Sequence, residues 1–311
     1  MKVFREMPEM EILKESVIAI GSFDGVHLGH MELFEQLLKK KKERKLKAVV
    51  ITFFPNPKAL ILKNKFTGHI SSKDEKLKLL KSCNIDLLYS LNFNEHLRRI
   101  SASSFLDQIV RAFNPSCFIV GYNHFFGYRK EGDLEFLMNE REVHSFEVIK
   151  VLEKTHPDQG KISSSKIRDF LLKGNIKEAN ALLGYNYSIG GEVVKGDELG
   201  RKIDFPTANL KIEKREKLLP RRGVYMVRSY IDGKSFLGMC NIGVRPTVSN
   251  AGKISIEVHF FDLSFEMYGK KIIIEFLTFI RNEIFFKDLR SLKKQLESDK
   301  NKCLEYSINN V

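Results

Sequence analysis

Between residue 16 and about residue 154, short apolar runs of strand character alternate with helical patterns, and this alternation constrains the fold more than any other feature of the chain. "SVIAI" (16–20) leads to a helix from about 30 to 44, and "AVVITFF" (48–54) leads through a Pro-rich turn to "SKDEKLKLLKSC", where Ser72 and Glu75 have capping-box spacing. "IDLLYSLNF" precedes "SASSFLDQIVRAF", in which Phe105, Ile109 and Phe113 recur every fourth residue, and "CFIVGYN" follows. Buried strands separated by helices of this length predict a parallel sheet with right-handed crossovers. Ligands of such a sheet bind at the carboxyl ends of its strands, near a point where strand order reverses. The first of those ends carries "GSFDGVHLGH" (21–30).

A helical pair, "SSKIRDFLLKG" and "NIKEANALLG", closes this region at Gly184, and beyond it the period changes. "YSIGGEVVKG", "GVYMVRSYIDGKSFLGMCNIG", "ISIEVHFFDL" and "KKIIIEFLTFI" alternate as strands, and the Asp-Gly of "YIDGKSF" signals a two-residue hairpin. An antiparallel barrel is expected here, covered by a last amphipathic helix with Leu289, Leu292 and Leu296 on one face. The expected fold is therefore α/β: a doubly wound parallel-sheet domain over residues 1–186, then an antiparallel β-barrel domain with a terminal helix over residues 187–311. A length of 311 residues and 43% apolar content suffice for two cores.

Cys83, Cys117, Cys240 and Cys303 form no CxxC pair, which argues against a zinc cage or a disulfide framework. The N-terminal "MKVFREMPEMEILKES" is too charged for a signal peptide, and no apolar stretch is long enough for a membrane span, so a soluble cytoplasmic protein is expected. The net charge of +13 suits nucleic acid, a membrane surface or a phosphorylated substrate. It is spread along the chain in runs such as "KKKKERKLK" (39–47) rather than interleaved with aromatics, and a solvated Lys-rich face explains it as simply.

A strand, a Gly-containing turn and a helix aim free backbone N–H groups at whatever sits above the turn, so "GSFDGVHLGH" reads as an anion site. Gly21, Gly25 and Gly29 allow tight turning, while His27 and His30 can donate to phosphate oxygens and stabilise charge that grows in a transition state. The helix dipole contributes only ~0.3–1 kcal/mol at an exposed end, so these donors and a metal must supply the rest. An HxxH pair alone often just decorates a helix end. The second element, "KISSSKIRDF" (161–170), places Ser163, Ser164 and Ser165 before a helix, with Lys166 and Arg168 adding positive charge. An N-cap needs one Ser and not three. Together the two elements describe a nucleotidylyl transferase site, and neither a GxxxxGK[ST] loop nor a protein-kinase signature is found.

With these motifs, the chain resembles the bacterial bifunctional riboflavin kinase/FAD synthetases. The resemblance runs in the family's order through "GSFDGVHLGH", "TFFPNP" (52–57), "VGYNHFFGYRKEGD" (120–133), "ISSSKIR" (162–168), "GRKIDFPTANL" (200–210), "GVY" (223–225), "NIGVRPT" (241–247), "IEVHFFD" (256–262), "YGKKIIIEF" (268–276) and "FIRNE" (279–283). For the first half it implies FMN adenylyltransferase activity: the phosphate of FMN attacks the α-phosphorus of ATP, pyrophosphate leaves and FAD forms without a covalent enzyme intermediate. On that implication His27 and His30 hold the ATP phosphates together with Gly21, Ser22, Phe23, Asp24, Gly25 and Gly29. Ser163, Ser164, Ser165 and Arg168 close over the triphosphate, and Asn123 lies in the flavin site. Such chemistry needs positioning and charge neutralisation more than a nucleophilic side chain, and Mg²⁺ is expected.

For the second half the resemblance implies riboflavin kinase, which moves the γ-phosphoryl of ATP onto the ribityl 5′-hydroxyl. Gly196, Arg201, Thr207 and Asn209 then bind ATP, and the neutral oxygens of Thr207 and Asn209 suit Mg²⁺. Read alone, Thr207 and Asn209 could equally satisfy their own loop backbone. Glu257 faces opposite to Ile256 and Val258; the resemblance casts it as the base for the hydroxyl proton, against a plain solvated carboxylate. Arg281 could pair with a carboxylate or with flavin and phosphate groups.

Two positions depart from the family pattern: Asn56 where His is usual, and Asp204 where Gly usually precedes "FPTAN". They motivate two other readings, an adenylyltransferase with an impaired kinase domain and a flavin-binding regulator. A class I aminoacyl-tRNA synthetase would share the HLGH and KISSSK pair, but it predicts a tRNA-binding domain in place of the small barrel. The expected partners are riboflavin, FMN and ATP, with no nucleic acid and no membrane, in a monomer or weak homo-oligomer.

Overall fold

The computed structural model describes residues 1–8, 13–196, 199–212, 216–245, 253–263 and 265–310; Pro246 and Thr247, which end the "NIGVRPT" stretch, lie outside the described residues. Two compact units divide the chain, Met1–Ser164 and Ser165–Val311.

The first unit runs through β1 (Lys2–Phe4), β2 (Ser16–Ile20), α1 (Leu28–Arg44), β3 (Lys47–Phe54), α2 (Pro57–Leu62), α3 (Lys73–Lys81), β4 (Leu87–Asn92), α4 (Glu95–Arg99), α5 (Ala102–Phe113), β5 (Pro115–Gly121), α6 (Leu134–His144), β6 (Glu147–Val151) and a short hairpin of β7 (Thr155–His156) with β8 (Gly160–Lys161). A six-stranded sheet has the order β1-β4-β3-β2-β5-β6. Every neighbouring pair in it is parallel. Along β2, Ile18 and Ile20 enter one core with Phe105, Ile109 and Phe113 of α5, while Val17 and Ala19 enter the other with Leu33, Phe34 and Leu37 of α1. Both faces of the sheet are thus covered, which is why its strands read as continuous apolar runs rather than alternating ones. Burying each large side chain of α5 is worth ~1.5–3 kcal/mol, well above the few tenths that helix propensity offers, so packing decides this helix. The expected capping box on α3 is present in both halves: Glu75 N donates to Ser72 Oγ at 3.3 Å and Ser72 N donates to Glu75 Oε2 at 2.7 Å.

The second unit takes up α7 (Ser164–Lys173) from its second residue, and continues through α8 (Ile176–Leu183), β9 (Ser188–Val194), β10 (Ala208–Ile212), β11 (Gly223–Ile231), β12 (Lys234–Arg245), β13 (Lys253–Phe260), β14 (Lys271–Arg281) and α9 (Leu289–Asn310). Its strands close a barrel in the order β10-β13-β12-β11-β14-β9. The Asp-Gly hairpin forms as expected: Ile231 pairs with Lys234, and Asp232 and Gly233 between them have φ 50° and 79°. The helical pair belongs to the barrel through its backbone. Asn180 Nδ2 donates to Phe276 O at 2.9 Å and Arg221 N to Leu171 O at 3.0 Å.

In α9 the packed face differs from the expected one. Leu292, Leu296, Cys303 and Tyr306 meet Val224, Met226 and Met239 of the barrel, whereas Leu289, the first residue of the helix, is 48% exposed. The stripe runs on through Asp299 and Cys303, both fully buried, instead of starting one turn earlier.

Candidate functional site

Strand order reverses at β2, which lies between β3 and β5, so the crevice of the first unit opens where the β2–α1 turn faces the end of β5. That turn is strained and held from behind. Phe23, Gly25 and Val26 have φ 43°, 80° and 38°, and for a β-branched residue such a conformation costs on the order of 1–3 kcal/mol unless the surroundings impose it. Asp24, 1% exposed, accepts from Ile70 N at 3.1 Å and Ser71 N at 3.2 Å, and Gly25 N donates to Ser71 Oγ at 3.0 Å. The Phe23 ring is buried against Phe34. Gly21 N continues the β2–β3 ladder by donating to Ile51 O at 3.0 Å, and Ser22 O accepts from Thr52 Oγ1 and from the ammonium of Lys76. Asn56, the departure from the family's His, is buried and caps α2: its Oδ1 accepts from Lys58 N at 3.0 Å, and its Nδ2 is 3.5 Å from Asp24 Oδ2.

His27 is the N-cap residue of α1, and its carbonyl accepts from His30 N at 2.7 Å and Met31 N at 3.1 Å. The two imidazoles stack, with centroids 3.6 Å apart and planes 15° from parallel. A Cβ on Gly29 would stand 3.3 Å from the His27 ring, so a glycine here lets that ring fold over the first helical turn. Burial, then the neighbouring His27 and then Lys76 hold the His30 pKa well below its ordinary value, and it is neutral at pH 7. Its Nδ1 finds no hydrogen-bond partner among the described residues. One buried positive charge of the site is that of Lys76, whose pKa burial lowers to about 8.

The serine element reaches this turn across the whole first unit. Ser164 Oγ donates to Asp24 O at 3.0 Å, and Ile162 O lies 3.7 Å from where a Gly29 Cβ would stand. Ser163 directly precedes α7, which starts at Ser164; Ser165 and Lys166 follow in its first turn, and Arg168, buried, lies one turn past Ser164 on the same helix face. Asn123, exposed, sits just beyond Gly121 at the end of β5. Next to it His124 was not picked out from the sequence: its N donates to Gly121 O, burial lowers its pKa to about 4, and its Nε2 has no partner among the described residues.

In the second unit, register collects a polar row. Asn209 of β10 stands opposite Glu257 of β13, which stands opposite Asn241 of β12. Cross-strand partners share a face. Ile256 and Val258 are buried while Glu257 is half-buried, as the alternation predicted. A Cβ on Gly196 would fall 2.0 Å from Asn209 Nδ2, so only a glycine lets the chain pass over that amide. Thr207, half-buried, precedes β10 in a turn pinned by His259, which the sequence reading also passed over. His259 Nδ1 lies 2.8 Å from Pro206 O, and since a carbonyl only accepts, that nitrogen carries the proton. Burial lowers the pKa of His259, and its ring packs on Phe205.

Asp204 has φ 66°, the left-handed region that favours the glycine expected at this place from the resemblance, and its carboxylate accepts from Lys293 Nζ of α9 at 2.6 Å. Its charge is thereby paired rather than left beside the turn. Arg201 pairs on the surface with Glu266 at 3.2 Å. Of the partners open to Arg281, the structure contains the carboxylate: its Nε and Nη2 each lie 2.8 Å from Oδ2 of Asp299, and its Nη1 donates to Asn282 O.

The first site thus offers N–H donors, hydroxyls and a buried cation around a strand-end turn, which suits oxygens of a polyphosphate. The second offers a half-buried carboxylate beside two amides. Comparison with known proteins gives the same two parts. A family model described as FAD synthetase matches residues 9–166, and one described as riboflavin kinase matches residues 183–307. The bifunctional riboflavin kinase/FMN adenylyltransferase of Buchnera aphidicola subsp. Acyrthosiphon pisum is 35% identical over 96% of this chain and 96% of its own. Those of Bacillus subtilis and Escherichia coli K12 are each 34% identical, over 95% and 93% of this chain and 93% and 92% of their own. A crystal structure from Streptococcus pneumoniae titled a macrolide-efflux protein superposes with a TM-score of 0.87 at 32% identity, covering 96% of this chain and 97% of that one. Among the described residues of the present chain, no helix is long and apolar enough to cross a membrane.

Proposed function

Because the chain belongs to the bifunctional riboflavin kinase/FMN adenylyltransferase family, with a FAD synthetase domain ahead of a riboflavin kinase domain, we propose that it phosphorylates riboflavin to FMN and then adenylylates FMN to FAD, the second step in residues 1–186 and the first in residues 187–311. The observation that carries the adenylylation half is the bond from Ser164 Oγ to Asp24 O, which joins two anion-binding elements distant in sequence at the switch point of a parallel sheet.

In that site a phosphate oxygen of FMN attacks the α-phosphorus of ATP as the bond to pyrophosphate breaks. The protein orients the triphosphate and meets the charge that grows on it, with N–H groups of His27 and His30, the first-turn amides of α1 and the hydroxyls of Ser163 and Ser164. The neutral imidazole of His30 serves as a donor here without needing to bring a proton. Asn123, at the end of β5, lies where the acceptor flavin would enter.

In the kinase site Glu257 takes the proton of the ribityl hydroxyl as that oxygen attacks the γ-phosphorus. Thr207 and Asn209 would hold Mg²⁺. They fit it in chemistry, since neutral oxygens beside phosphate suit a cation that keeps its own waters, and in space, since the close pass of Gly196 leaves Asn209 framed by backbone. Bound there, the ion would neutralise charge on the transferred phosphoryl group. The substrates are small molecules, and a cytoplasmic protein without nucleic-acid or membrane partners, monomeric or weakly self-associating, is the setting this reading implies.

Incubating the purified protein with riboflavin, ATP and MgCl₂ and resolving flavins by chromatography tests the reading. FMN followed by FAD is expected. Absence of any flavin conversion overturns it in favour of a binding protein, and conversion of FMN to FAD without phosphorylation of riboflavin confines the activity to the first domain.

A further inference from the structure

Lys76 is a buried cation that neither motif contains. It is 3% exposed on α3, and its Nζ donates to Ser22 O at 2.8 Å and to Phe53 O at 2.9 Å, with the Phe54 ring 5.6 Å away. Lysine is among the residues least often buried, and packing alone would be served by an apolar side chain of similar length. What an apolar residue lacks is the reach to two carbonyls at once, and these two are not arbitrary. Phe53 lies near the carboxyl end of β3, and Ser22 opens the turn after β2, so one ammonium ties the ends of two adjacent central strands at the mouth of the crevice.

Neighbouring residues act on the same turn. Ile70 and Ser71 donate to Asp24, Ser71 receives Gly25 N, and the Ser72 capping box anchors the start of α3. Residues 70–76 therefore grip Ser22, Asp24 and Gly25 in succession. Lys76 is the buried cation of this grip, and its charge is felt at His30. The charged and titratable groups around it are Asp24 on the turn, Lys73 on its own helix, and His30 with the stacked His27 on α1; β3 presents the uncharged Phe54 ring.

We propose that Lys76 is a positioning residue of the adenylylation site, aligning the Ser22–Gly25 turn beneath the ATP phosphates and placing a buried positive charge behind them. This rests on the adenylyltransferase reading of the first domain. The residue touches no reacting atom; it acts through the backbone of the turn and through the field it lays across the histidine pair.

The test compares wild type with Lys76→Met and Lys76→Arg, reading FMN-to-FAD conversion with ATP varied from pH 6.5 to 9.5, and riboflavin phosphorylation on the same preparations. Lys76→Met should lower kcat/KM for ATP in FAD formation by ~10²-fold, the scale of removing one preorganised charged donor, and leave riboflavin phosphorylation within twofold of wild type. Since Lys76 loses its proton near pH 8, wild-type kcat/KM for ATP should fall as pH rises through about 8. Lys76→Arg keeps its charge throughout and should recover most of the activity with that alkaline fall removed. Adenylylation by Lys76→Met within threefold of wild type at pH 7, or an alkaline fall unchanged in Lys76→Arg, overturns the proposal. If Lys76→Met does not fold, the wild-type and Lys76→Arg pH profiles decide alone. Failure of the wild type to make FAD from FMN is a different outcome, and it removes the functional reading on which the proposal stands.

Discussion

Arg281→Met would strand a carboxylate with no route to water. Asp299 is fully buried on α9, and its Oδ2 receives both Nε and Nη2 of Arg281 at 2.8 Å; among the described residues only Oδ1 has another donor, Gln295 Nε2 at 2.9 Å. Removing the guanidinium therefore leaves one carboxylate oxygen without either of these donors, a loss of ~3–5 kcal/mol when a buried pair is broken from one side. At ~2–4 °C per kcal/mol for a unit of this size, the transition of the barrel should fall by roughly 10 °C. Thermal and urea unfolding of the full chain measure it, and FMN adenylylation by the first domain, unchanged at low temperature, shows that the effect is local. The double variant Arg281→Met/Asp299→Leu removes both charges and should regain most of the loss, so a double-mutant cycle should give strong coupling. Riboflavin phosphorylation by the double variant then separates the two roles open to Arg281. Activity returning with stability makes the arginine a staple between β14 and α9, and a raised KM for riboflavin in a restored fold makes it a flavin contact as well. A loss below ~1 kcal/mol in the single variant would refute the reasoning.

His30→Ala should lower FAD formation by ~10²–10³-fold and leave FMN formation nearly intact, and equal loss of both in a coupled flavin assay would refute the two-site division. Glu257→Gln, which keeps the shape and removes the base, should lower riboflavin phosphorylation by ~10²–10⁴-fold while FMN is still adenylylated; retained phosphorylation rules out the role. Lys76 also sets a stability trend. Its pKa is about 8 in the folded chain against 10.5 ordinarily, so between those values the unfolded chain binds more protons and stability rises with pH. Relative to Lys76→Met, wild type should gain roughly 3 kcal/mol in urea unfolding between pH 8 and 10.5, and a pH-independent difference would disprove the burial of a charged amine.

Features set by local chemistry were legible in the sequence: the capping box of Ser72 and Glu75, the hairpin at Asp232 and Gly233, and the opposed facing of Glu257 and Val258 all depend on residues within a few positions of each other. The pairing of "GSFDG" with "ISSSK" was legible because each reads in the sequence as an anion-binding element, and Ser164 does meet Asp24. What escaped was set by distant partners. Strand β1 has three residues and no period; it forms because Phe4 stacks on Tyr89, with centroids 4.9 Å apart. Lys76 lies in a helix rich in lysines, and nothing local distinguishes the buried one from the solvated ones. His259 reads as one more polar residue on a strand until Pro206 is seen above it. The glycine usual before "FPTAN" is explained only by the backbone of Asp204, and the charge of that aspartate only by Lys293 of α9.

The hydrogen bond from Ser164 to Asp24 also places the first site in time. During synthesis the chain delivers the histidine turn almost at once, yet the strand that flanks it on the crevice side, β5, begins only 85 residues after His30, and the serines that close it come more than a hundred residues later. Contacts of such separation form slowly and late, because a long loop must be ordered before they reward it. A nascent chain still short of Ser164 would hold the turn without its clasp, and would meet nucleotide weakly. Tight binding of ATP is in this sense a report that the whole first unit has been made and folded.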